Sequence, residues 1–291
     1  MRIFKNRYGE LRSGWAIAAA ALVMIAAQLI ARPLSELGDE SNPAFKLGVT
    51  LVYGVISIAG FLLLFKLLYK RKFRQLGMIP EKGVLSFLGG FLGGFASVAF
   101  IFVFLLAANQ AAITSVNLER LLSFAIVAEL LSVCVFMFSE ELLARGFFMT
   151  ALKTTRNSRV ILLVPAAIFA LLHLMNDGIT AMSLINTFIA GLLFGYMFVR
   201  SGALWLSTGY HVAWNFFMGD MFGMGTSGTA STHSILTTHL GTNTFLTGSY
   251  GPEDSVLGTV VLLLAFLAVR FFVKKPKDSA WSMNMDCEEG L

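Results

Sequence analysis

The chain has 291 residues, 56% of them apolar and only 13% charged, with a mean hydropathy of +0.75; an ordinary soluble domain is roughly 45 to 50% apolar, so a water-soluble core is excluded as the main architecture. The formal charge of +5 comes from short basic groups beside hydrophobic runs, with no stripe or tail, which points to a lipid bilayer and away from nucleic acid. Two cysteines, Cys134 in an apolar run and Cys287 near the C-terminus, exclude a disulfide framework and a CxxC metal motif.

A basic leader (Arg2, Lys5, Arg7, Arg12) precedes the first apolar run, residues 14 to 31. That run is long for a signal peptide, lacks a small-residue cleavage site and ends in Arg32-Pro33, so it reads as a retained span. Further runs follow at 47 to 69, 84 to 108, 121 to 152, 160 to 176, 180 to 199, 203 to 218 and 255 to 273. Most reach the roughly 20 residues a bilayer core needs. The fold class expected is an all-α polytopic membrane bundle of about eight transmembrane helices, one integral-membrane domain over residues 1 to 291, multi-pass in the cell membrane.

Alternate connections separate by charge. The leader, Lys66 to Lys82, Lys153 to Arg159, Arg200 and Lys274 to Lys277 are basic; Glu36, Asp39, Glu40, Asp177, Asp220, Glu253 and Asp254 fall on the other side. The positive-inside rule then puts both termini in the cytoplasm. Residues 219 to 254 form an extracytoplasmic Gly/Ser/Thr-rich connection, either a packed cap or a disordered loop, in which His233 and His239 read as surface residues. Gly89-Gly90 with Gly93-Gly94, and Gly191 with Gly195, are spacings that let helices approach closely.

The fourth run carries "MFSEELLARGFF" at 137 to 148. A charge at mid-bilayer costs roughly 2.5 to 3.5 kcal/mol on the insertion scale, so Glu140, Glu141 and Arg145 need partners or a task. Glu141 and Arg145, four residues apart, share a helix face and can neutralise each other, whereas Glu140 points about 100° away. Glu140 is thereby left as a base or ligand. Glu129, further out on the same run, has no evident partner.

Runs four and five leave one short basic loop, and residues 140 and 173 are equally far from its centre, which brings Glu140 and His173 to one depth. His211 and Asn215 share a face on run seven, so the four polar groups are expected to converge in the cytoplasmic half of the bundle. Such a set suits activation of water. Two arrangements stay open: Glu140, His173 and His211 as three ligands of zinc, or Glu140 and His173 holding water while His211 and Asn215 donate to an oxyanion. Asn186 and Ser207 read as packing residues.

"EELLAR" (Glu140, Glu141, Arg145), "FALLH" (Phe169, His173) and "HVAWN" (His211, Asn215) resemble the EExxxR, FxxxH and HxxxN motifs of the CPBP intramembrane protease family. That family includes type II CAAX prenyl endopeptidases and bacterial Abi-type proteins. The resemblance implies an eight-span fold, with Glu140 and His173 activating the hydrolytic water, His211 and Asn215 stabilising the oxyanion, and Glu141, Arg145 and Phe169 in support. It implies peptide hydrolysis near the cytoplasmic face, in membrane-associated or prenylated substrates, with removal of a C-terminal tripeptide from CaaX proteins as one form. Family members include glutamate-dependent and metal-dependent enzymes, so zinc stays open as cofactor. The alternatives are a non-catalytic scaffold or bacteriocin self-immunity protein, and a transporter with Glu140 as proton site, for which broken helices in related halves are expected but no internal repeat is found.

Overall fold

A computed structural model describes residues 3–5, 11–39, 41–229 and 233–274. Cys287 and the basic residues Arg2, Arg7, Lys275 and Lys277 lie outside the described residues. Helices cover all eight apolar runs: α1 (Ser13–Ser35), α2 (Pro43–Tyr69), α3 (Gly83–Ala107), α4 (Phe124–Glu141), α5 (Ser158–Leu172), α6 (Ala181–Ser201), α7 (Trp205–Phe216) and α8 (Val256–Phe272). Helix α4 continues without a break through a π-helical stretch, Leu142–Phe148, into Met149–Leu152; α7 likewise runs into a π-helical stretch, Phe217–Met221.

Five helices, α1, α2, α3, α5 and α6, are long and apolar enough to cross a membrane. Their outward faces carry exposed Leu22, Leu63, Leu92, Phe100 and Leu163. Apolar side chains turned outward around an equally apolar core are what a lipid solvent demands. The protein is a multi-pass membrane protein.

Local sequence sets the helix ends. Asn42 caps α2, accepting from the Ala44 and Phe45 amides at 3.0 and 3.3 Å, with Pro43 at the first helical position. Thr180 and Ser183 form a capping box on α6, which stops at Gly202 in the left-handed conformation (φ 69°). Asn157 caps α5 and Ser255 caps α8.

One seam is closer than the rest. A Cβ on Gly90 would stand 2.0 Å from the Leu206 carbonyl oxygen, and one on Gly209 would stand 2.1 Å from that of Phe87. Helices α3 and α7 therefore meet backbone to backbone, which fixes the depth and rotation of α7. Gly191 approaches Ala166 of α5 in the same way.

The described part of residues 219–254 is a packed cap. Strand β2 (Leu236–Leu240) pairs antiparallel with β1 (Ala111–Val116), with a bulge between Ile113 and Ser115. Arg120 Nη1 donates to the Ser234 carbonyl at 3.0 Å and ties the cap to the start of α4.

Candidate active site

Glu141 and Arg145 form the ion pair that the spacing predicts, Nη1 to Oε1 at 2.9 Å, with side chains 0% and 1% exposed. Its surroundings are richer than an isolated pair. Arg145 Nη2 also donates to the Gly191 carbonyl at 3.2 Å, and the guanidinium lies over Phe169 and Phe194, 4.6 and 4.9 Å from the ring centroids. Phe169 is thus the ring against which Arg145 packs, a cation–π contact in a dry interior.

Glu141 Oε1 accepts a second hydrogen bond, from His211 Nδ1 at 3.1 Å, and the Ser207 hydroxyl lies beside the same carboxylate. An ionised carboxylate only accepts, so the His211 proton is on Nδ1 and the lone remaining ring nitrogen, Nε2, faces away. Glu140 Oε2 stands 3.9 Å from that Nε2. The gap is too long for a direct hydrogen bond and suits a bridging water. Glu140, with its side chain 19% exposed, is the open member of the pair of glutamates.

His173 stands at the far end of α5. Its Nδ1 donates to the Phe169 carbonyl at 2.7 Å, which again leaves Nε2 for other work. Asn215 Nδ2 donates to the His211 carbonyl and to Met137 Sδ, both at 3.1 Å. The thioether is a weak acceptor that a better one can displace.

Phe169, His173, His211 and Asn215 line one cavity of about 40 Å³ together with Phe194, Trp214, Ser227 and Glu253. That is room for a water molecule. Phe194, Trp214 and Glu253 carry no motif signal of their own. Trp214 does lie inside HVAWN, one turn on from Tyr210, and Glu253 stands at the end of a Gly/Ser/Thr-rich stretch where a lone carboxylate reads as surface.

Several expectations change. The cavity is not in the half of the bundle nearest the basic loops. It is lined by the end of α5, the beginnings of α6 and α8, and the cap, while Lys153, Arg159, Arg200 and Arg270 lie at the opposite helix ends. Residues 157 to 173 span roughly 24 Å of helix, past the middle of a hydrocarbon core about 30 Å thick. Equal depth for Glu140 and His173 therefore does not put them near the cytoplasmic face when the basic loops are cytoplasmic.

Glu129 has a partner after all: Lys46 of α2, at 2.9 Å. Asn186 anchors the cap to α6, its Nδ2 donating to the Glu253 and Ser255 carbonyls at 2.9 Å each. Among the described residues no three His, Cys, Asp or Glu side chains are grouped to hold a metal ion. Glu140, His173 and His211 are thus not grouped as three ligands of one zinc ion.

Residues 121–217 match the family described as type II CAAX prenyl endopeptidase Rce1-like. The match holds all seven motif residues from Glu140 to Asn215 and covers about a third of the chain. No curated protein and no solved structure matches the chain.

Proposed function

We propose, from the premise that residues 121–217 place this chain in the CPBP family of intramembrane proteases, that Glu140 drives its hydrolysis of peptide bonds inside the membrane. The family makes the chain an endopeptidase of the CAAX type in general terms. The observation that carries the finer reading is the 3.9 Å gap between Glu140 and His211 Nε2, at a ring whose other nitrogen is held by a buried carboxylate.

A water in that gap attacks the carbonyl carbon. Glu140 accepts its proton and returns it to the leaving amine as the C–N bond breaks. The two histidines differ in what stands behind them. A neutral carbonyl behind His173 suits a ring that offers an Nε2 lone pair to the water. A carboxylate behind His211 stabilises the ring once Nε2 has taken a proton from solvent, so that Nε2–H, with Asn215 Nδ2–H turned from Met137, receives the developing oxyanion. Glu141 and Arg145 hold His211 in place.

Substrate reaches the cavity from the face that carries residues 219–254, which the charge distribution makes extracytoplasmic. A membrane-associated peptide is the substrate class, and a prenylated CaaX tail is the form the family description suggests.

The test is cleavage of quenched fluorescent, membrane-anchored peptides, prenylated and unprenylated, by purified wild type and Glu140→Gln, each with and without chelator. Wild type should cleave, the variant should lose about 10²- to 10⁴-fold, and the chelator should change neither. Equal rates in both proteins would remove Glu140 from the mechanism. Loss on chelation with recovery in zinc would restore the metal reading.

A further inference from the structure

Glu253 puts a carboxylate into the cavity lined by His173, His211 and Asn215, and the proposed hydrolysis does not use it. Its Oε1 accepts from Trp214 Nε1 at 2.8 Å and its Oε2 from the Ser227 amide at 2.6 Å. Both donors are neutral. Among the described residues no Lys, Arg or His pairs with it, in contrast to Glu129, Glu141 and Glu81. The side chain is half-buried and lines the wall shared by His173, His211 and Asn215.

Holding the cap does not require this charge. The Glu253 main chain is fixed by Asn186, and the next residue, Asp254, takes hydrogen bonds from the Ser249 amide and hydroxyl at 3.0 and 2.8 Å and from Thr180 Oγ1. A half-buried carboxylate with neutral hydrogen-bond donors and no counter-ion among the described residues is open to pairing with a cation. Its rigid backbone and two oriented oxygens make it a prepared receptor for one.

We propose that Glu253 is a specificity residue: it receives a cationic group of the substrate peptide, a Lys or Arg side chain or a free amine. The inference rests on the endopeptidase reading and narrows it to peptides that carry a cationic group close to the scissile bond.

Three membrane-anchored peptides, identical except for Lys, Gln or Glu beside the scissile bond, would be measured in two ways: affinity for the non-hydrolysing Glu140→Gln protein, and kcat/KM with active protein. Each measurement is repeated with Glu253→Gln and Glu253→Lys added. The expected result is a preference for Lys over Glu of about tenfold, abolished in Glu253→Gln and inverted in Glu253→Lys. Should Glu253→Lys fail to fold, Glu253→Gln alone decides. Absence of a charge preference in the Glu140→Gln background, or an equal loss for all three peptides in Glu253→Gln, overturns the proposal and leaves Glu253 a strap residue. Charge-selective binding without cleavage by any protein would keep this inference and sink the proposed hydrolysis.

Discussion

Glu140 and Glu141 are neighbours in sequence, yet they belong to opposite regions of the site. Glu141 is fully buried between Arg145 and His211, inside a knot closed further by Phe169, Phe194 and the Gly191 carbonyl. Glu140 stands apart, 3.9 Å from His211 Nε2 and with its side chain 19% exposed. Helix α7 repeats the contrast: the face with Leu206, Gly209 and Tyr210 is pressed against the α3 backbone, while His211, Trp214 and Asn215 meet the cavity. The cavity-facing groups are held still because the region behind them has no slack, which is how a site on rigid helices gains precision.

Breaking the locked region should have the largest effect on stability. Arg145→Met strands the buried Glu141 carboxylate and is expected to cost about 3 to 5 kcal/mol. Replacing both partners, Glu141→Leu with Arg145→Met, should recover most of that loss in thermal unfolding in detergent. If the double variant melts no higher than the single one, the knot does not behave as a charge pair.

The seam offers a smaller and more graded test. In Gly209→Val a new side chain meets the Phe87 backbone, which cannot move aside, so destabilisation of about 1 to 3 kcal/mol or more is expected. Gly195→Ala meets only the ends of two flexible side chains, Leu162 at 3.2 Å and Met149 at 3.8 Å, and should be nearly neutral. Equal melting temperatures for these two variants would show that α7 does not owe its position to the seam.

The smallest effect sharpens the account of the cap. Burial alone would raise the Asp254 pKa, but hydrogen bonds from Thr180 and Ser249 outweigh it and hold the carboxyl below its ordinary 3.8. The sign follows: this contribution is complete above pH 3.8 and is lost as pH falls through the lower folded value. Asp254→Asn should cost about 1 kcal/mol at neutral pH and should flatten the acid limb of the stability curve. Limited proteolysis of the cap between pH 2 and 6 would check it, and an unchanged acid limb in the variant would contradict it.

Much of the locked region was legible in the sequence. The i,i+4 spacing of Glu141 and Arg145 is a local relation, decided within a turn of chain. The motifs on α5 and α7 supply Phe169, His173, His211 and Asn215 to one cavity, whose lining does not include Glu140 of the α4 motif. What was not legible depends on partners distant in sequence. Lys46 reaches Glu129 across 83 positions, Glu253 reaches Trp214 across 39, and β1 finds β2 only when the cap folds back over α4. The π-helical stretches after Glu141 and Phe216 leave no mark in hydrophobic periodicity, although both flank the site, as such stretches often do. Depth is a different matter: equal spacing from a loop fixes relative depth and leaves open which half of the bilayer is reached.

The contrast between the two glutamates is tested most directly by comparing Glu140→Gln with Glu141→Gln in one preparation, reading peptide cleavage and melting temperature together. The account predicts that Glu140→Gln melts like wild type and does not cleave, whereas Glu141→Gln melts lower because Arg145 has lost its counter-charge. Cleavage by Glu140→Gln at the wild-type rate, or a lower melting temperature for it than for Glu141→Gln, would contradict the division of labour between the open and the locked carboxylate.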